Sequence, residues 1–217
     1  QLPMGAEENF YGIIDIIKRK AYVFDESNQS KEIEIPDEYR QQSEDYRMAL
    51  VEKLGDYDEE IRELYFEEKD IPADLIKKAA REATLKLLIT PVFCGAAYKN
   101  KGIQLLLDAV VELLPSPIDI GAVVGFDVDD PEKTKSRNPS VKEPFAALAF
   151  KLIHDPFVGQ QTFIRIYSGR ITSGMQLLNS TKGKYERTGR ILKIRAKDRE
   201  EISEAGPGDI VALIGMK

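Results

Sequence analysis

The chain has 217 residues, with 31 Lys+Arg against 37 Asp+Glu, 42% apolar residues, one cysteine and one histidine. This fits a globular protein of one large or two ordinary domains. It excludes an internal disulfide, and Cys94 with His154 gives no zinc ligand set. No apolar run reaches the roughly 20 residues of a membrane span. The opening QLPMGAEENF lacks the basic patch and apolar core of a signal peptide, so a cytoplasmic location is expected. A start at Gln1 rather than Met suggests a piece of something longer.

The net charge of −6 is unevenly spread. Residues 1–120 carry 15 Lys+Arg and 25 Asp+Glu, while residues 140–217 carry 13 and 8. The acidic part should avoid nucleic acid and the basic part has the sign to bind it; drift without functional meaning gives the same numbers.

In chain order, FYGIIDIIKRKAYVFDE reads as two strands joined near Lys18–Lys20, and KEIEIP as a third strand ended by Pro36. Asp37–Leu54 reads as a helix with Tyr39, Tyr46, Ala49 and Leu50 on one face, stopped by Gly55. Asp58–Phe66 is a short acidic helix. Pro72–Leu87 is another, with Leu75, Ile76, Ala79, Ala80 and Ala83 as its apolar face. LLITPVFCG, residues 87–95, has the continuous apolar character of a strand buried on both faces, with Pro91 arguing for an edge. GIQLLLDAVVELLP follows as a helix presenting Ile103, Leu106, Leu107, Val110, Val111 and Leu114, ended by Pro115 and Pro117. Residues 121–143 read as a linker. From Phe145 the period becomes two, and runs within 145–153, 160–169, 175–180, 188–196 and 208–215, separated by Gly-rich turns, predict a small β-barrel. Three regions result: 1–120, 121–143 and 144–217.

The strand, small-residue turn and helix start around Gly95-Ala96-Ala97 occupy the place where ligands bind in α/β sheets. An ordinary tight turn has the same pattern, and no GxxxxGK[ST] phosphate cradle occurs in the chain. Thr181–Arg199 holds eight basic residues, of which Arg187, Lys193, Arg195, Lys197 and Arg199 share a parity. On one strand they would form a phosphate-binding ribbon, although a solvated barrel face is the more common use of such a pattern. No acid–base pair stands out. His154 reads as a turn residue and Cys94 as a buried small one.

CGAAYKNKGIQLLLDAVVELLPSP resembles the end of the GTPase domain of bacterial elongation factor G, where the loop usually reads Gly-Ser-Ala-Phe-Lys-Asn-Lys-Gly and contacts the guanine base. The resemblance assigns that role to Ala96 and Ala97. It departs at Ala96, where the family usually has serine, losing a bracing hydroxyl but no backbone donor. Residues from about 12 to 86 resemble the family's GTPase-domain insert, and LAFKLIHDPFVGQQTF onward resembles its second domain. The fold class implied is α+β followed by all-β: a partial GTPase-domain piece with a strand-helix insert, then a translation-factor barrel, truncated at its end. The resemblance also implies a fragment of a ribosomal translocase that uses GTP/GDP with magnesium when intact. Its partners would be small-subunit rRNA through the barrel and the ribosomal stalk protein through the acidic insert, with no membrane and no DNA. Lacking a P-loop and switches, the chain alone should have no catalytic residue, bind no metal and hold GTP only weakly. A ribosome-protection GTPase or a stand-alone ribosome- or RNA-binding module are the alternatives.

Overall fold

The computed structural model describes residues 1–25, 29–127, 130, 132–156 and 159–216. It divides into two compact units, Gln1–Leu114 and Pro115–Lys217.

The first unit opens with an antiparallel meander of β1 (Leu2–Met4), β2 (Gly12–Asp15), β3 (Lys20–Phe24) and β4 (Ser30–Ile33), paired in that order. Its alternating pattern sends Met4, Ile14 and Ala21 into a small core with Ile35. Three helices follow: α1 (Asp37–Gly55), α2 (Glu59–Phe66) and α3 (Ala73–Leu85). The Asp58 carboxylate caps α2 by accepting from the Ile61 N–H at 3.0 Å. Pro72 stands just before α3, where a missing N–H costs nothing. Val51, Leu54, Ile61, Ile71, Ile76, Ala79, Ala80 and Ala83 close on one another as the main core. Each fully buried aliphatic of isoleucine size contributes about 1.5–3 kcal/mol.

The sequence-derived face of α1 is corrected. Tyr46 is exposed and so is Ala49, whereas Ser43, Arg47, Val51 and Leu54 are buried. Arg47 lies inside because its guanidinium donates to Ile16 O, Ile17 O and Ile71 O at 3.0, 2.6 and 2.8 Å. A buried charge is tolerated when its donors are used in this way.

The strand expected over 87–95 does not form. Leu87 has φ +58° and is 90% exposed, and the segment is irregular up to Gly95. A strand buried on both faces needs neighbours on both edges to take its N–H and C=O groups. None of the described strands pairs with this segment, and Pro91 lacks an N–H. Only Ile89 and Phe93 of this segment pack against the helical core.

Helix α4 (Ile103–Leu113) lies where the periodicity places it, but only Ala109 and Leu113 are buried. Leu106, Leu107, Val110, Val111 and Leu114, expected as a core face, are exposed. Arg81 of α3 nevertheless reaches its end, donating to Glu112 O at 2.6 Å.

In the second unit Pro117, expected only to end the preceding helix, instead occupies the first turn of α5 (Pro117–Ile120). There Ser116 and Asp119 form a capping box. The stretch read as linker holds a hairpin of β5 (Val123–Phe126) and β6 (Thr134–Arg137). β7 (Ala146–Asp155) and β8 (Gly159–Ser168) follow, then β9 (Ile171–Thr172), β10 (Gln176–Asn179), β11 (Lys184–Arg187), β12 (Ile191–Arg195), β13 (Asp198–Ile202), β14 (Glu204–Ala205) and β15 (Ile210–Ile214). The main sheet runs β13-β12-β15-β8-β7, all antiparallel, with β10-β11 and β14-β9 as separate pairs. Ile164, Ile166, Ile171, Ile191, Val211 and Leu213 form its core. This is the β-rich, barrel-type unit expected from the period-two runs. β7 is its least covered strand, with Leu148, Phe150 and Leu152 exposed.

Candidate functional site

The loop from Cys94 to Gly102 is fixed by its own backbone. Ala96 N–H donates to Lys101 O at 2.9 Å and Lys101 N–H returns to Ala96 O at 3.1 Å, an isolated antiparallel bridge. Within it Ala97–Lys99 makes a single 3-10 turn, with Lys99 N–H on Ala96 O and Asn100 N–H on Ala97 O, both at 3.0 Å. Asn100 closes the turn at φ 52°, a left-handed geometry that asparagine tolerates. The bridge braces the loop at Ala96 through backbone hydrogen bonds alone.

Two glycines are required. A Cβ at Gly95 would lie 2.9 Å from Lys101 O. Gly102 has φ +79°, and its Cβ would lie 2.6 Å from Ile13 Cδ1. Lys101 Nζ donates to Phe10 O at 3.1 Å. At the tip, Ala97 and Tyr98 are exposed, and the Ala97 N–H makes none of the loop's backbone hydrogen bonds. Sequence reasoning had placed Ala96 and Ala97 together, but Ala96 spends its donor inside the loop and only Ala97 keeps one to offer. Cys94 is half-buried, and burial pushes its thiol pKa up, away from nucleophilic use.

The basic ribbon is not one strand. Arg187 lies on β11, Lys193 and Arg195 on β12, and Arg199 on β13, with the chain reversing at Ala196, φ +53°. The reversal sets acids against bases: Lys193 stands opposite Glu200 and Arg195 opposite Asp198. Arg199 pairs with Asp155 at 2.5 Å, and Arg187 Nε donates to Gly174 O at 2.9 Å. Parity fails across a turn, so the five residues form no single face. The hairpin of β10 and β11 keeps exposed Lys184 beside exposed Tyr185. His154 is exposed on β7, not in a turn, and of the 155–159 turn Phe157 and Val158 lie outside the described residues.

A cleft in the first unit has no signature in the sequence. It encloses about 690 Å³, with Arg19, Glu44, Arg47, Tyr65, Phe66 and Asp70 among its walls. Arg19 spans its mouth, donating to Glu44 at 3.0 Å and Asp70 at 2.7 Å. An arginine in an acidic helix reads as solvated; only its place four residues before Val51 hinted that Arg47 faces inward. Among the described residues no cluster of three His, Cys, Asp or Glu could hold a metal ion, and no helix is long and apolar enough to cross a membrane.

Two likenesses to known proteins bear on this arrangement. Residues 144–217 match the family model for elongation factor G domain 2. A crystal structure of a protein from Thermus thermophilus aligns with a TM-score of 0.74 and 27% identity, covering 99% of this chain and 29% of that one. The chain therefore spans less than a third of that protein's length. Domain 2 of elongation factor G is thus recognised in residues 144–217, and the alignment of nearly the whole chain within one larger protein supports a fragment of an elongation factor G.

Proposed function

We propose that this chain is the guanine-side and domain 2 portion of a ribosomal translocase, in which GTP hydrolysis drives movement of tRNA and mRNA. The observation that carries the reading is the match of 144–217 to elongation factor G domain 2. The apolar face of α4 supports a larger assembly over a free-standing module, because contiguous exposed apolar surface marks an interface. In this reading Ala97, positioned by Ala96, contacts the guanine of GTP or GDP. The second domain rests on small-subunit rRNA, and the acidic helices α1 and α2 face the stalk protein. Phosphoryl transfer needs a phosphate cradle, magnesium and a positioned water. No GxxxxGK[ST] is present, so the chain by itself turns over no GTP.

The test is co-sedimentation of the purified chain with small ribosomal subunits across a salt series, with GTP turnover measured in parallel. Binding that weakens as salt rises, with no turnover above the spontaneous rate, is the expected result. No binding at low salt, or turnover by the chain alone, overturns the reading.

A further inference from the structure

We infer that Lys101 is a positioning residue that ties the nucleotide-contact loop to the N-terminal hairpin. The inference rests on the reading of Ala96 and Ala97 as guanine-side residues and extends it to what holds them.

Lys101 acts at both ends. Its backbone makes the reciprocal bridge to Ala96, and its ammonium reaches Phe10 O at 3.1 Å, 91 residues away in sequence. The chain has 37 carboxylates, yet among the described residues Lys101 is paired with none of them. Its charge goes to a carbonyl whose own position is fixed. Phe10 packs its ring 6.2 Å from Phe24, and the next N–H, of Tyr11, donates to O of fully buried Met4 at 3.1 Å. Beside it, Gly102 lies so close to Ile13 of β2 that no side chain fits. The loop is therefore braced by one polar and one apolar contact to a single hairpin. A charge-assisted bond in a half-buried place is stronger than a neutral one. Movement of the hairpin would be transmitted through Lys101 to Ala96 and so to the Ala97 donor.

The experiment uses the whole chain, with Lys101→Met, the conservative Lys101→Arg, and Lys78→Met as a charge control on the exposed side of α3. Amide exchange is read residue by residue by NMR. Lys101→Met should speed exchange at Ala96 and Lys101 about tenfold, leave the α3 amides and the urea midpoint unchanged, and be rescued by Lys101→Arg. Unchanged exchange at Ala96, or acceleration spread evenly over the first unit, overturns the inference. In a second arm GDP and ADP are titrated at millimolar concentration. GDP should shift the Ala97 amide where ADP does not, with affinity about tenfold weaker in Lys101→Met and unaltered in Lys78→Met. Equal GDP affinity in wild type and Lys101→Met also overturns the inference. If GDP leaves Ala97 unmoved in the wild type while exchange at Ala96 responds as expected, the guanine reading fails and the brace stands.

Discussion

In α3 the positions Ile76, Ala79, Ala80 and Ala83 are buried against α1 and α2, whereas in α4 Leu106, Leu107, Val110 and Val111 stand in solvent. Both helices have a 3.6-residue apolar pattern, and both lie in the same unit. The difference teaches that periodicity states what a face can bury, and only the neighbouring elements decide what it does bury. Around α3 the chain supplies partners from local sequence: Val51 and Leu54 at the end of α1, and Ile61 just after the Asp58 cap. Around α4 none of the described strands pairs with the adjacent run 87–92, and of the helix only Ala109 and Leu113 are buried.

The comparison breaks most directly by matched truncation. Ile76→Ala removes a side chain with no exposure and should cost about 4 kcal/mol, read as a lower urea midpoint of the first unit. Val111→Ala, at 80% exposure, should move it by less than about 0.5 kcal/mol. Comparable losses in both would mean that the α4 face is covered in solution, and the contrast would collapse.

Arg47 sharpens the contrast from the polar side. It shares the buried face of α1 with Val51 and Leu54, and burial pushes its pKa down. Arg47→Met keeps much of the apolar stem but strands Ile16 O, Ile17 O and Ile71 O. The expected loss is about 3 kcal/mol, checked by the same denaturation curve. A neutral outcome would show that water reaches these carbonyls through the cleft. A smaller effect comes from Asp58→Ala, which deletes the cap of α2 and should cost about 1 kcal/mol, visible also as faster exchange in the first turn.

These residues also show what was legible in advance. Three of the four meander strands, α2, α3 and α4 could be placed because β-branched runs, caps and prolines act locally, and the longer barrel-type strands because period two persists from Phe145; β1 (Leu2–Met4) is too short to announce itself. The inward face of α1 was hidden because an arginine is buried only when distant carbonyls converge on it, and no local pattern encodes that. The short β9 and β14, and the charged β13, carry too little apolar alternation to announce themselves. At the loop, Ala96 and Ala97 could be named as candidates by resemblance alone. Their unequal use of donors was not, since it depends on the bridge to Lys101.

The weakest test concerns the exposed clamp across the cleft. The Arg19 guanidinium, donating to Asp70 at 2.7 Å, holds that carboxyl below the usual carboxylate range. A carboxyl with a depressed pKa in the folded state adds stability that is fully present above its unfolded value of about 3.9 and is lost as pH falls through the folded value. The Asp70 side chain is 71% exposed, so solvent screening reduces the pair to a few tenths of a kcal/mol at most. Asp70→Asn should therefore lower stability only slightly at neutral pH. The gap to wild type should close as the pH falls below about 4, where wild-type Asp70 also loses its charge, and it should narrow in high salt. Arg19 would remain held by Glu44 at 3.0 Å, so no charge is stranded. A loss as large as that of Arg47→Met would mean that the clamp is dry in solution, and that the cleft behind Arg19 is closed to water.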